Sequence, residues 1–222
     1  MIEHTDLSSP VYQRLRAMIL DNSLTPGQKL RQEQLARQLG VSRTPLLKAL
    51  QMLESELLVE SVPRRGMYVK QLSLAEMHDL YEVREAIECL AIRLCCRNCN
   101  PAQIEQLRAL WKPFEGRKRI NTPAYQAADD RFHSLLLEYA GNSILKKTYR
   151  LSFLQARVMQ MGLMRPPSET LQEHQAMVEA IASRDENAAV EVMSLHLRRS
   201  KARIGLKYPE ATPGTAGQNR SI

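Results

Sequence analysis

The sequence has few aromatic residues, little glycine and no long apolar run. Aromatic residues make up 5% of its 222 residues, with a single Trp, and only nine residues are Gly. No stretch approaches the roughly 20 consecutive apolar residues of a membrane-spanning helix. The first residues also lack the basic and apolar segments of a secretory signal. These absences predict a globular cytoplasmic protein that does not enter a membrane.

Cysteine is equally scarce, and its four copies crowd one helical stretch, as Cys89, Cys95, Cys96 and Cys99. A zinc ribbon would need a second Cys pair elsewhere in the chain, and the sequence has none. We interpret the four as reduced thiols packed as small apolar side chains. Metal ligation by these thiols is the less favoured alternative.

The charge excess is mild and spread along the chain. The formal net charge is +7, and residues 1–70 carry ten Lys and Arg against seven Asp and Glu. Such an excess favours a polyanionic partner, because bound phosphates release their counterions. It is too small for an architectural DNA-binding protein that relies on many phosphate contacts. A nucleic-acid function therefore has to rest on a motif.

The first 60 residues predict three helices. The first begins at Ser9, which can cap it, and ends near Asn22. The second covers residues 31–39 and ends at Gly40, where the chain can turn with positive φ. The third opens at residues 41–45 and continues to Leu57. Two short helices joined by a Gly-containing turn place the second of the pair in the DNA major groove.

Two short strands are predicted next, around a basic turn. Residues 58–62 and 67–70 alternate between apolar and polar side chains on either side of Pro63-Arg64-Arg65-Gly66. Such a wing can place Arg64 and Arg65 against phosphates or in the minor groove. Exposed arginines without a DNA contact are the alternative.

This N-terminal segment resembles the GntR family of bacterial regulators. The similarity is carried by Leu39-Gly40-Val41-Ser42-Arg43-Thr44-Pro45, by Ala49-Leu50 and Leu53-Glu54, and by Arg65-Gly66-Met67-Tyr68-Val69. The resemblance implies operator contacts from the start of the third helix, backbone contacts from the second helix, and contacts from the wing. Ser42, Arg43 and Thr44 lie at the start of the third helix, and Arg31 and Gln34 belong to the second helix. Arg64, Arg65 and Gly66 form the wing contacts.

The sequence departs from the family pattern at Leu47 and Lys48. Members commonly carry an Arg-Glu pair two residues after the proline of the motif. The missing Arg removes one groove contact, whereas Lys48 supplies a positive charge about 100° further round the helix. We therefore include Lys48 among the DNA-binding candidates.

From Ser73 onward the sequence shows only helical patterns, opened by a capping box of Ser73 with Glu76. We count six or seven helices, enough for a bundle with a central cavity. The predicted fold class is mainly α, with an N-terminal winged helix-turn-helix domain (1–71) and a C-terminal all-helical domain (72–207). A disordered tail is predicted for residues 208–222.

Three of the five histidines and one aspartate lie at helix positions that are otherwise apolar, namely Asp129, His133, His174 and His196. Asp129 and His133 are four residues apart and share a helix face. An inward carboxylate costs several kcal/mol unless it is paired or binds a metal. The set could coordinate Zn²⁺ or another divalent ion and leave positions open for a ligand. Core histidines satisfied by hydrogen bonds are the alternative.

The helical segment resembles the ligand-binding FCD domain of the FadR-type branch of the same family. The similarity is carried by Asp129-x-x-Phe132-His133, Glu173-His174, His196-Leu197 and Tyr81-x-x-Arg84-x-x-x-Glu88. It implies a divalent metal on the Asp and the three His, most favourably Zn with Ni or Mn as alternatives, and a carboxylate metabolite bound against it.

Two arginines are candidates to hold the carboxylate of that effector. They are Arg84 and Arg157, because a guanidinium group can fork onto a carboxylate. An internal salt bridge of Arg84 with Glu88, one turn further on, is the alternative.

Together these features predict a ligand-responsive transcriptional repressor rather than an enzyme. We expect a homodimer, because a two-fold protein matches a two-fold operator. The alternative is a metal-dependent enzyme that uses an open coordination position to activate water. Against it, the cluster adds no further Glu or Asp at a spacing suited to a general base.

Overall fold

The computed structural model describes residues 8–151, 158 and 161–208. Helices dominate these residues and the only sheet among them has two strands, which confirms the predicted fold class. None of the described helices is both long and apolar enough to cross a membrane. Arg157 and the tail residues 209–222 lie outside the described residues, so their predicted roles stay predictions.

Three helices and a hairpin form the N-terminal part. They are α1 (Ser8–Leu20), α2 (Gln32–Leu39), α3 (Arg43–Ser55), β1 (Val59–Val62) and β2 (Gly66–Val69). Gly40 ends α2 with a left-handed φ of 67°, as the sequence predicts. The end of α3 was predicted two residues too late, because Leu57 has a φ of 58° and turns the chain towards β1.

The wing is an antiparallel hairpin in which Val59 pairs with Val69 and Val62 pairs with Gly66. Gly66 therefore belongs to β2 rather than to the predicted turn, and its φ of 98° is one that side chains rarely allow. A third segment adds to the sheet, since the Leu30 amide donates to the Met67 carbonyl at 2.8 Å.

An apolar core holds the N-terminal elements together. Its fully buried members include Leu15 and Ile19 from α1, Leu46, Leu50 and Leu53 from α3, and Val69 from β2. At its edge, the carboxylate of the buried Glu56 accepts hydrogen bonds from Tyr12 and Arg16, which ties α1 to the end of α3. Burial and the Glu56 contact raise the pKa of Tyr12 to about 12.

The long helix α4 (Leu74–Asn98) opens with the predicted capping box. The Ser73 amide donates to Glu76 at 2.8 Å, and the Glu76 amide donates to the Ser73 hydroxyl at 3.2 Å. A short helix α5 (Pro101–Ala109) and a 3₁₀ turn (Lys112–Phe114) follow.

The four cysteines lie on or directly after α4 as free thiols. Cys95, Cys96 and Cys99 are buried, and Cys89 is half-buried. Burial raises the pKa of Cys89 and of Cys96 to about 11. Both thiols are therefore protonated at neutral pH, which suits packed apolar side chains better than metal ligands.

Five further helices have both of their ends among the described residues. They are α6 (Thr122–Tyr139), α7 (Ser143–Leu151), α8 (Pro167–Ala182), α9 (Glu186–Lys201) and α10 (Ile204–Lys207). The chain divides into two compact units. One holds the N-terminal elements, α7 and the part of α6 from Gln126 onward, and the other holds α4, α5, the first turn of α6 and α8 to α10. In the second unit, α9 packs against both α4 and α8, and α5 packs against α8.

Candidate functional site

The start of α3 is an exposed polar surface. Ser42, Arg43 and Thr44 are all exposed, and Ser42 occupies the N-cap position without a side-chain capping bond. The first amides of a helix have no partner within that helix, so this end attracts anions such as phosphate. The three residues thus occupy the leading end of the second helix of the helix-turn-helix.

The register of α3 is set by its buried side. Leu46, Ala49 and Leu50 are fully buried, whereas Leu47 is half-buried and Lys48 is exposed. Leu47 is therefore not one of the core leucines of this helix. A longer polar side chain at position 47 could reach outward without displacing the core.

The two predicted DNA-backbone contacts at the start of α2 line a shallow surface cavity of about 310 Å³. Arg31 and Gln34 are both exposed and share this cavity with Gln28, Lys29 and Gln38. The sequence pattern did not indicate that the last three lie beside this pair. Gln28 and Lys29 lie in the irregular segment before α2, where no helical period could have indicated which side they face.

The hairpin tip presents the predicted basic pair. Arg64 and Arg65 are both exposed, and Arg64 has a φ of 63°. Gly66 is exposed at the start of β2. The structure thus leaves all nine DNA-binding candidates accessible to solvent, and their roles stay predictions.

A buried cluster of three imidazoles and one carboxylate lies at the predicted positions. Asp129 and His133 come from α6, His174 from α8 and His196 from α9. One ligand atom from each residue lies within 4.8 Å of those of the others. The four side chains are buried, with His174 fully inaccessible to solvent.

The ring of His196 is oriented by a carboxylate that sequence reasoning did not assign. Nδ1 of His196 lies 2.8 Å from a carboxylate oxygen of Glu173. A carboxylate only accepts, so Nδ1 carries the proton, and in the neutral ring Nε2 is the nitrogen that can bind a metal. Glu173 lies beside His174 in the sequence, but nothing in the spacing of the two residues could indicate a partner on α9.

Two arginines hold Glu173 in place. Arg165 donates to both of its oxygens, at 2.7 and 2.9 Å, and Arg199 donates at 2.8 Å. Burial alone would raise the pKa of Glu173, but hydrogen bonds from an imidazole and two guanidinium groups outweigh it. The pKa is therefore held well below its usual range, and Glu173 stays ionised as the acceptor for His196.

His174 is oriented by a chain of hydroxyl groups. Its Nδ1 lies 3.0 Å from the Tyr125 hydroxyl, which lies 2.8 Å from the Thr170 hydroxyl. Thr170 in turn donates to the carbonyl of Pro166. A carbonyl only accepts, and in the arrangement where Thr170 donates to Pro166 and Tyr125 donates to Thr170, Nδ1 of His174 donates to Tyr125. This direction gives His174 the tautomer whose Nε2 carries a lone pair.

The single tryptophan packs directly on this ring. Trp111 is buried and stacks on His174, with centroids 4.2 Å apart and planes within 3°. Tyr125 lies at 5.5 Å from Trp111. The stack holds the imidazole plane fixed, and it places a natural fluorophore beside the cluster.

The donor set fits a divalent metal ion. It combines three imidazoles and a carboxylate, which suits Zn²⁺ and neighbouring borderline ions. His174 and His196 each have Nδ1 bound to an oxygen, the outer contact that metal-binding histidines usually make. Oδ2 of Asp129 lies 3.9 Å from Nε2 of His133, so these two donors also converge.

The candidate effector residue Arg84 already has a partner. Its Nε lies 2.7 Å from Glu88, and both side chains are buried. The Tyr81 hydroxyl accepts a second, longer bond from Arg84 at 3.4 Å. The internal salt bridge considered from the sequence is thus present, and a contact of Arg84 with an effector stays a prediction.

Comparison with known families decides the identity of both parts. Residues 7–69 match the model of bacterial regulatory proteins of the gntR family. Residues 79–199, more than half of the chain, match the model of the FCD domain. The chain belongs to the GntR family of transcriptional regulators. The family confirms the resemblance drawn from the sequence, including its FCD-containing branch.

Curated relatives of this GntR regulator cover most of its length. An uncharacterized HTH-type transcriptional regulator of Streptomyces ambofaciens is 29% identical over 191 residues, which is 85% of this chain and 80% of that protein. The HTH-type transcriptional repressor RspR of Escherichia coli is 27% identical, covering 86% of both chains. The family and these relatives are regulators, which rules against the enzyme alternative.

Solved structures show the same fold. A putative GntR transcriptional regulator from Rhodococcus sp. RHA1 superposes with a TM-score of 0.75 at 22% identity, covering 90% of this chain and 98% of that one. E. coli McbR/YncC superposes with a TM-score of 0.73 at 19% identity, covering 94% and 100%. At such identities the likeness concerns the fold alone.

Proposed function

We propose that this GntR regulator is a homodimeric repressor whose operator affinity is controlled by a small carboxylate bound beside a divalent metal. The observation that carries the proposal is the buried cluster, in which four ligand atoms lie within 4.8 Å of one another. The repressor assignment draws on the E. coli relative, which is described as a repressor.

In this proposal Asp129, His133, His174 and His196 hold the ion. A bound ion of this kind offers a positive centre that attracts the carboxylate of the effector. The four ligands come from α6, α8 and α9. An effector that binds to the ion would therefore act on the positions of all three helices. Allosteric coupling between two sites is typically about 5- to 150-fold in affinity.

DNA reading is assigned to the N-terminal helices and the wing. Arg43 and Thr44 contact base edges from the leading end of α3, and Arg64 and Arg65 contact the backbone or the minor groove from the wing. Arg31, Gln34 and Lys48 add contacts to the DNA backbone, and two copies read the two halves of a palindrome.

The test is operator binding by metal-loaded protein with and without small carboxylates. An operator is selected in vitro from random duplexes with tag-free, full-length protein, and binding is followed by fluorescence anisotropy. We expect at least one acid of a panel of mono-, di- and hydroxycarboxylates to change the operator Kd by about 5- to 150-fold. Chelation should abolish the change.

Two histidine variants provide the matched comparison. His196→Gln removes one proposed ligand, whereas His78→Gln alters a histidine of α4 that does not belong to the cluster. We expect the carboxylate response to disappear in His196→Gln and to persist in His78→Gln. A full response in the His196 variant would contradict the proposed role of the cluster.

A further inference from the structure

The chain between α5 and α6 concentrates positive charge. Residues 112–119 include four basic side chains and one acidic one, Glu115, a net charge of +3 that equals the net charge of all residues 1–70. We infer that these eight residues, called the basic segment below, form a second DNA contact that holds phosphates and reads no sequence. The four cations of the segment are Lys112, Arg117, Lys118 and Arg119.

The cations of the basic segment are available to a partner. All four are exposed, and among the described residues their side chains make no hydrogen bond or ion pair. The other described Lys and Arg residues of the same unit interact with an acidic side chain or a backbone carbonyl, as Arg108 does with Glu179. The positive charge of this unit that has no partner in the described chain is therefore concentrated in one segment.

The basic segment is held on a defined path. Phe114 is buried, and its carbonyl accepts a hydrogen bond from the Arg117 amide at 3.4 Å. Gly116 turns the chain with a φ of 65°. The side-chain amide of Gln175 on α8 donates to the Glu115 carboxylate at 2.9 Å, which ties the acid of the segment to the helix behind it. A segment fixed in this way loses little conformational freedom when a ligand binds.

The composition of the segment suits phosphates better than base edges. Residues 115–119 carry no apolar side chain, and three consecutive cations end the segment. Lys and Arg contacts to phosphates position a protein on a duplex without carrying sequence information. The match of residues 7–69 to the gntR family makes DNA the polyanion that this chain meets.

The phosphates in question lie outside the base pairs read by α3 and the wing, because those elements contact their own phosphates. Once the N-terminal elements are bound, flanking DNA is present at a high effective concentration, so a few weak contacts add to the affinity. The basic segment thus strengthens binding to an operator inside long DNA, and it does so without changing the operator sequence that is preferred.

The test compares two duplexes that contain the same selected operator. The short duplex covers only two half-sites, about 20 base pairs, and the long one adds about 20 base pairs of random sequence on each side. Full-length, metal-loaded protein is titrated without effector by fluorescence anisotropy, at about 50 to 200 mM salt. The neutral variant carries Arg117→Gln, Lys118→Gln and Arg119→Gln together.

The neutral variant should lose affinity on the long duplex alone. There it should reduce the steepness of log affinity against log salt by about two to three units, because each lost phosphate contact removes about 0.9. Its Kd at about 50 mM salt should rise by about tenfold or more. On the short duplex it should match the parent. Parent and variant are compared on the same DNA, so additional nonspecific positions on the long duplex affect both equally.

Two control variants separate the segment from net charge and from folding. Arg117→Lys, Lys118→Arg and Arg119→Lys together conserve the charge and should keep the parental slope, because a phosphate contact needs the charge rather than one side chain. Arg131→Gln, Lys146→Gln and Lys147→Gln together remove three charges from exposed positions of α6 and α7. This control should leave both slopes unchanged.

Four results would overturn the inference. An unchanged slope in the neutral variant would leave the segment to an acidic partner other than DNA. An equal loss in the α6 and α7 control would attribute the effect to net charge, and an equal loss on the short duplex would place it within the operator. Loss in the charge-conserving variant would show that the contact is not electrostatic. No effector enters the measurement, and a long duplex of random sequence gives the same comparison, so the outcome is independent of the proposed metal and carboxylate.

Discussion

Replacement of His174 should remove the stabilisation that a bound metal confers, without requiring any knowledge of the effector. His174 is fully buried, stacks on Trp111 and has Nδ1 held by Tyr125. His174→Gln keeps much of the side-chain volume but replaces the imidazole nitrogen by an amide, a far weaker ligand for zinc. Its intrinsic stability will also fall, so the informative quantity is the difference between metal-loaded and chelated protein.

The expected magnitude follows from mass action. An ion present at 100 times its Kd stabilises the folded state by about 2.7 kcal/mol. For chains of about 150–250 residues, each 1 kcal/mol shifts the melting temperature by about 2–4 °C. The wild type should therefore melt about 5–11 °C higher with Zn²⁺ than with chelator, and His174→Gln should show little difference.

Scanning calorimetry of tag-free protein measures this difference, with His78→Gln as the control that should keep the full shift. Trp111 gives a second readout, since it is the only Trp in the chain and stacks on His174. Paramagnetic Ni²⁺ or Co²⁺ should quench its fluorescence in the wild type and not in the variant. A variant that keeps the metal-dependent shift, or a wild type without one, would show that His174 does not bind a stabilising metal.

Four further predictions concern single residues. Arg43→Ala should weaken binding to the selected operator by about 1–3 kcal/mol, and equal loss on random DNA would show that Arg43 only holds phosphate. Arg65→Ala should lower the slope of log affinity against log salt by about one unit, and an unchanged slope in a folded variant would remove the wing from the interface. Leu47→Arg should tighten DNA binding or change the preferred base at one operator position; unfolding of the N-terminal domain, seen by calorimetry, would show that Leu47 belongs to the core. Thr170→Val should lower zinc affinity by about 10- to 100-fold, because Tyr125 can then donate to His174 and favour the wrong tautomer, whereas Thr170→Ser should restore it.

Periodicity and capping predicted the N-terminal elements well because those signals are local. The turn at Gly40 and the capping box at Ser73 each depend on residues within one turn of the helix. The errors arose at chain reversals. Leu57 and Gly66 depart from the predicted bounds because backbone φ decides the end of an element there.

The cluster itself could be predicted because its members break an apolar helix face. Asp129 and His133 are four residues apart, and a buried carboxylate needs a partner. The residues that orient the imidazoles could not be predicted in the same way. Glu173 meets His196 and Tyr125 meets His174 only through packing of separate segments, and no spacing in the sequence encodes those contacts.

Arg84 shows what helix spacing can and cannot predict. Its spacing from Glu88 allowed both an internal salt bridge and a contact with a ligand, and only the local pair could be read from the helix repeat. The structure contains the salt bridge. If the carboxylate of the effector also contacts this guanidinium group, Arg84→Lys should lose the response of operator binding to the acid.

X-ray absorption at the zinc edge of metal-loaded, tag-free protein tests the metal site itself, because it reports which atoms surround the ion. We expect one ion per chain with three imidazole donors from His133, His174 and His196 and oxygen donors that include Asp129. No sulfur is expected, since the four cysteines lie on or directly after α4 and none of them belongs to the cluster. Sulfur scattering, an ion surrounded by oxygen alone, or the same spectrum from His174→Gln would contradict it.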